Sequence, residues 1–304
     1  TVFGGVARDV IASAAGDDLI SAGLGDDFVA SGSGNDIIID GGGNDTYQGG
    51  DGDADQISYE ARGAKIIIDM SVFDANGYNT AVIGTETDLL RDIENILTGS
   101  GADTITGSSS GNVIEAGSGD DSLSGGLGDD LLDGGDGADT ADFSYSSVAF
   151  TIDLGTNLGG GLFAASSAVQ NVLLKNIEFV IATAFDDVLI GGSGNDSFEA
   201  LAGLNSFGWS LGDDVFDATG GSGILYYSDA NGVDVASDLA QDLSFDMTAF
   251  DAGTLRFDIS IAALGKADSV SLNVNTIYAG AGDDNMLGDG NDQVFYGYLG
   301  NDVL

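Results

Sequence analysis

Residues Gly4 to Gln48 divide without remainder into five nine-residue units: GGVARDVIA, SAAGDDLIS, AGLGDDFVA, SGSGNDIII and DGGGNDTYQ. Each carries Gly or Ala at its fourth place and Asp at its sixth (Asp9, Asp18, Asp27, Asp36 and Asp45). A large apolar or aromatic residue stands at the eighth (Ile11, Ile20, Val29, Ile38 and Tyr47). One large apolar side chain per nonad cannot build an amphipathic helix, which needs about three or four in two turns. Most of the other positions are turn formers, and glycine among them permits positive φ. What remains is a short strand centred on the eighth place, which buries its side chain only by stacking on copies of itself. Two facing nonads then close one coil of eighteen residues, with the eighth-place side chains as a narrow core. The fold class expected is all-β, a parallel β-solenoid.

The pattern recurs along the chain. A sixth unit with one extra residue, GGDGDADQIS, carries Asp53, Asp55 and Ile57. A second block holds Asp103, Asn112, Asp121, Asp130 and Asp139 at the sixth place, over Ile105, Ile114, Leu123, Leu132 and Ala141. A third holds Asp187, Asp196, Asn205 and Asp214, over Leu189, Phe198, Phe207 and Phe216, and its last nonad has Gly223 at the sixth place and Leu225 at the eighth. A short fourth holds Asp284, Asp292 and Asp302. The organisation is block (1–58), insert (59–97), block (98–142), insert (143–181), block (182–225), longer insert (226–278) and truncated block (279–304). The inserts read as short strands, with one turn of helix expected over Asp88 to Ile93. They share phrases: IIIDM ending at Met70, TIDL at Leu154 and SFDM at Met247; DIENI from Asp92 and NIEFV from Asn176. Asp69 to Asp153 spans 84 residues, as does Asp103 to Asp187, so block plus insert forms a higher repeat.

Charge identifies what such turns need. Fifty acidic residues stand against 7 basic ones, a net charge of -43. That balance excludes ordinary nucleic-acid binding, which requires Lys and Arg on phosphates, and argues against anionic membrane surfaces. Disorder is the usual outcome of such acidity, but 43% of residues are hydrophobic, enough for a core. There is no apolar run of membrane-spanning length and no basic-then-apolar leader. Stacked coils set carboxylates about 4.8 Å apart. A hard cation taking oxygen ligands at about 2.3–2.6 Å relieves their repulsion. Calcium, which accepts six or more oxygens in irregular geometry, suits better than magnesium. Zinc prefers nitrogen or sulfur, and the chain has no His and no Cys.

These nonads resemble the repeats-in-toxin (RTX) family, whose unit is G-G-x-G-x-D-x-U-x. The resemblance implies a right-handed parallel β-roll, calcium ions between adjacent turns, type I secretion and folding outside the cell. Ligand counting allows roughly ten to fifteen ions. The sixth-place residues are the expected metal ligands, Asn112 and Asn205 through their amide oxygens, with weak or empty sites expected where the motif departs: Ala7 and Phe185 in glycine places, Asn112 and Asn205 in aspartate places, and Gly223, which has no side chain.

Catalysis has little to stand on. Paired carboxylates such as Asp17-Asp18 and Asp120-Asp121 have the chemistry of a glycosidase pair, but so many identical pairs single none out. Without His or Cys the commonest triads are excluded. Asp69, Asp153 and Asp246 read as strand-end residues, and Trp209 and the phenylalanines of the third block as core or coil-cap residues. The chain therefore reads as a secreted or cell-surface structural protein that self-assembles, a surface-layer or filament subunit. Coil edges at both ends lead to the expectation of a head-to-tail homopolymer, with Phe28, Ile37 and Ile39 offered for lateral contacts. The alternatives are an adhesin or polysaccharide-binding module, with a groove in Tyr226 to Tyr278, and the non-catalytic carboxyl-terminal part of a secreted enzyme or toxin. Asp302-Val303-Leu304 has the acidic-then-apolar ending of some type I secretion substrates.

Overall fold

A computed structural model describes residues 1–208, 213–218, 220–226, 244–246, 256–261, 266–271, 274–279, 284–287, 293–297 and 301–304. Trp209, Met247, Asp292 and most of Tyr226 to Tyr278 lie outside the described residues. The chain forms two compact units, Thr1–Asp142 with Gln170–Ile177, and Phe143–Val169 with Glu178–Leu304.

In the first unit, successive nonads alternate between two sheets. One sheet stacks Val2–Phe3, Leu19–Ser21, Ile37–Ile39, Gln56–Ser58, Asn95–Leu97, Val113–Glu115, Asp130–Asp133 and Asn171–Lys175, in that order. The other stacks Val10–Ala12, Phe28–Ser33, Thr46–Asp51, Glu86–Arg91, Asn79–Ile83, Ile66–Asp69, Thr104–Thr106, Ser122–Ser124 and Thr140–Asp142. Strands from the nonads pair in parallel, each residue facing the one eighteen positions on: Ile11 with Val29, Ile20 with Ile38, Ile105 with Leu123. The extra residue of the sixth unit lengthens one step, so that Ile38 faces Ile57. This is the parallel β-roll that the repeat requires. Every eighth-place residue of the first three blocks is buried, from Ile11 through Leu225.

The second unit repeats the plan. Val188–Ile190, Leu204–Gly208 and Ser222–Tyr226 stack in one sheet, and Phe179–Ile181, Ser197–Glu199 and Val215–Asp217 in the other. Its core is aromatic: Phe198 and Phe216 are stacked at 6.0 Å between centroids, and Phe207 tilts against Phe216 at 5.3 Å.

The first insert is spliced into the stack as a meander. Ile66–Asp69 runs antiparallel to Asn79–Ile83, which runs antiparallel to Glu86–Arg91. The two outer strands then pair in parallel with nonad strands, Leu90 against Tyr47 and Ile68 against Ile105. The helical turn expected over Asp88 to Ile93 is thus a strand as far as Arg91, followed by a bend at Asp92. Asp88 and Leu90 alternate inward with Leu89 between them, and the coil beneath supplies an open sheet edge that a helix would leave unpaired. The second insert contributes a hairpin to the second unit, Phe150–Asp153 with Phe163–Ser167. The shared phrases of the inserts also have a structural counterpart. Asp92 and Asn176, which open DIENI and NIEFV, have φ of 53° and 51°, a left-handed conformation that Asp and Asn tolerate best after glycine.

Coil stacking leaves no room at glycine turns that abut the backbone of the next coil. Gly43 has φ of +141°, and a Cβ there would lie 2.2 Å from the carbonyl oxygen of Gly25 in the neighbouring coil. Gly43→Ala is therefore expected to cost about 2–4 kcal/mol, strain plus overpacking, read as a lowered denaturant midpoint with calcium present.

Candidate metal centre

The sixth-place carboxylates form ladders along the roll. Oδ1 of each accepts the backbone N–H of the sixth-place residue one coil earlier: Asp9 N–H to Asp27 at 2.7 Å, Asp18 to Asp36 at 2.7 Å, Asp27 to Asp45 at 2.6 Å, Asp36 to Asp55 at 2.8 Å. The second block continues it with Asp103 to Asp121 at 2.6 Å, Asn112 to Asp130 at 2.9 Å and Asp121 to Asp139 at 2.9 Å. In the second unit Asp187 donates to Asn205 at 2.9 Å, Asp196 to Asp214 at 3.0 Å and Asp284 to Asp302 at 3.0 Å. Of the two candidates in the lengthened sixth unit, Asp55 takes the rung. Asp53 is exposed and donates its N–H to Asn35 instead.

The fifth-place residues form a second ladder pointing the other way. Asp26 accepts the N–H of Asn44 in the following coil at 2.9 Å, while its neighbour Asp27 accepts from Asp9 in the preceding one. Asp120 and Asp121 divide the same way, toward Ala138 and Asp103. Each carboxylate of a pair is thus tied to a different coil, so the pair holds backbone and does not face a shared substrate.

Sequence reasoning missed two rungs that the first insert supplies. Asp88 Oδ1 accepts the N–H of Asp45 at 2.8 Å, and Glu94 Oε2 accepts the N–H of Asp55 at 2.9 Å. The signal was present: Asp88 and Glu94 precede the buried Leu90 and Ile96 by two, the same spacing as sixth to eighth place, and Glu178 precedes Val180 likewise. Where the inserts carry Ile66 and Phe150 at the corresponding place, their N–H groups still donate to Asp103 and Asp187, but they offer no carboxylate of their own.

The second oxygen of each rung decides whether a cation is needed. In Asp27, Asp36, Asp55, Asp121 and Asp130, all buried, Oδ2 has no hydrogen-bond partner. A buried carboxylate oxygen without a partner is costly. Glycine makes space beside it, since a Cβ at Gly125 would lie 2.2 Å from Asp130 Oδ2. An oxygen-only pocket of this kind fits a calcium ion, and these five aspartates would hold it. The departures from the motif differ. Asn112 donates from Nδ2 to the Glu94 carbonyl at 2.7 Å and accepts the Ser108 N–H at 2.7 Å, and Asn205 donates to the Ala202 carbonyl at 3.0 Å. Asp187 receives both the N–H and the hydroxyl of Thr183. At these rungs the side chains are satisfied by protein groups.

Burial pushes the rung carboxyls up, to about 6 for Asp45, Asp121, Asp130 and Asp196 and about 7 for Asp88, against an ordinary 3.8. A raised folded-state value means that the folded chain binds protons more tightly than the unfolded one. The resulting stabilisation is complete below about pH 3.8 and is lost as pH rises through 6 to 7. In chelator, the chain is therefore expected to be more folded at pH 5 than at pH 8, by circular dichroism. At Asp121 and Asp130, whose Oδ2 has no partner, calcium needs the ionised form and competes with these protons.

Among the described residues, Asp40, Asp45 and Asp88 form one acidic group, all buried, each with a carboxylate oxygen within 4.8 Å of the others. Tyr47 Oη lies 2.8 Å from Asp40 Oδ1 and 2.9 Å from Asp45 Oδ2, Tyr59 Oη donates to Asp88 Oδ2 at 3.0 Å, and Arg62 Nε donates to Asp40 Oδ2 at 2.6 Å. Asp40 stands at the first place of its nonad, where no ligand was expected.

A family model described as RTX calcium-binding nonapeptide repeat (4 copies) matches residues 3–38, 25–54, 92–114, 106–141, 176–206 and 272–304, more than half of the chain. The matches fall on the nonad blocks and on the ends of the inserts that rejoin them. No curated protein matches the chain.

Proposed function

The chain belongs to the RTX calcium-binding nonapeptide repeat family, and on that premise we propose that it is a structural protein of the extracellular space or cell surface, stapled by calcium and assembled with copies of itself. One observation carries the calcium part: five buried aspartates, each with one oxygen bonded to backbone and the other without a partner. Calcium supplies the missing partner and cancels the repulsion along the ladder. Family membership marks the repeat as a non-catalytic structural unit, and the fifth- and sixth-place carboxylates are occupied in holding backbone. Among the described residues no helix is long and apolar enough to cross a membrane. A fold that needs calcium suits the calcium-rich side of the cell envelope.

Self-assembly is the finer part of the proposal. Support comes from apolar side chains on the outer faces of the sheets, in register between strands: Leu19 beside Ile37, and Ile67 beside Val82, near the exposed Val72 and Phe73. Head-to-tail stacking draws on the same backbone bonds that join one coil to the next, as in other heterologous contacts that propagate. Electron microscopy of the purified chain in millimolar calcium, then in chelator, tests the assembly. Ordered polymers that disperse on chelation are expected, and monodisperse monomers in calcium would overturn the assembly while leaving the calcium ladder untouched. Monomers that bind on a glycan array would place the chain among adhesive modules instead.

A further inference from the structure

Positive charge in this chain is concentrated in the inserts. All but one of the 7 basic residues lie in the inserts: Arg62, Lys65, Arg91, Lys175, Arg256 and Lys266, with Arg8 the exception. The nonad blocks thus leave their carboxylates to an external ion, while the inserts carry positive charge of their own. Arg62 delivers that charge to the joint where the first insert meets the first block. Its Nε donates to Asp40 Oδ2 at 2.6 Å, and its Nη2 pairs with Glu86. The guanidinium lies over the glycine turn of the Asp40 nonad, where a Cβ on Gly42 would meet Arg62 Nη1 at 3.3 Å. The side chain of Asp40 is fully buried beneath it.

The joint differs from the calcium rungs in what its oxygens do. Five donor hydrogens serve the six oxygens of Asp40, Asp45 and Asp88: Arg62 Nε, the Tyr59 hydroxyl, the N–H groups of Asp27 and Asp45, and a Tyr47 hydroxyl whose one proton is shared between Asp40 Oδ1 and Asp45 Oδ2. At Asp27, Asp36, Asp55, Asp121 and Asp130 one oxygen has none. A divalent ion entering the joint would have to displace the guanidinium and the phenol hydrogens, and it would bring two positive charges against one already present. A bidentate-capable, permanently charged guanidinium is the side chain best suited to stand in for a metal beside carboxylates. We propose that Arg62 serves as a built-in replacement for calcium at this joint, so that the buried cluster of Asp40, Asp45 and Asp88 takes no ion. The inference rests on the calcium-stapled reading of the ladder.

Calcium anomalous scattering from crystals of the full chain tests it. In the wild type, peaks are expected beside Asp27, Asp36, Asp55, Asp121 and Asp130 and none among Asp40, Asp45 and Asp88. In Arg62→Ala a peak is expected at the joint, and native mass spectrometry of the same variant is expected to count one ion more than the wild type. Arg62→Lys keeps the charge and is expected to leave the count unchanged. An ion at the wild-type joint with Arg62 swung away overturns the proposal, and so does an Arg62→Ala protein that gains none. Should Arg62→Ala not fold, the wild-type map still decides. Absence of ions along the whole ladder is a different result, one that sinks the calcium-stapled reading itself.

Discussion

Excess chelator at neutral pH is expected to unfold the chain, seen as loss of its β-sheet circular dichroism, and added calcium is expected to restore it. The reason is the ladder. Asp27, Asp36, Asp55, Asp121 and Asp130 each keep a buried oxygen without a partner, and burial raises the pKa of Asp121 and Asp130 to about 6, so at neutral pH these two face a standing penalty for ionisation. A site at a hundredfold excess of calcium over its Kd contributes about 2.7 kcal/mol. About two to five such sites equal the whole stability of an ordinary domain, about 5–15 kcal/mol. Five orphaned rungs are therefore enough to make folding conditional on the ion. An unchanged spectrum in chelator at pH 8 would show that the ladder is held by something other than a metal. Magnesium at the same concentration is expected to rescue poorly, because the irregular oxygen sites do not meet its demand for octahedral geometry.

Phe207→Ala is expected to cost about 3–5 kcal/mol, measured as a drop in the denaturant midpoint in saturating calcium. Phe207 is fully buried, stacked in register between Leu189 and Leu225 and in contact with Phe216 across the core at 5.3 Å. The roll has one large inward side chain per nonad, so neighbours cannot close the cavity without shifting coils. A stacked architecture also passes the loss to both adjoining coils, since stability there is a sum of neighbour contacts. Ile37→Ala is the matched control. Ile37 points outward and is 40% exposed, and its loss is expected to stay within about 0.5 kcal/mol. Equal effects at the two positions would mean that the inward and outward faces have been assigned wrongly.

Much of this architecture is local and therefore legible from residues. A nonad brings its apolar eighth place inward and its sixth-place aspartate into the turn by backbone geometry alone. Equal spacing then forces a coil of eighteen and the register of Ile20 on Ile38 or Phe198 on Phe216. Even the extra residue of the sixth unit reads correctly as a longer step, from Ile38 to Ile57. The expected helical turn at Asp88 to Ile93 failed because its short acidic-apolar pattern is ambiguous by periodicity, and the open edge of Thr46–Asp51 selected the strand.

Everything at the joint needed the fold. Asp88 reaches the ladder through Asp45, 43 residues earlier, and Glu94 through Asp55, 39 residues earlier. Arg62 meets Asp40 and Glu86 only because the meander folds back over the Asp40 turn. The amino-acid sequence by itself determined the roll, its core and the need for a cation, since repetition turns one local rule into a whole architecture. Which carboxylates keep an oxygen without a partner, and which face an arginine, was decided by tertiary structure, because those partners share no period and meet only after the insert has chosen its strand order.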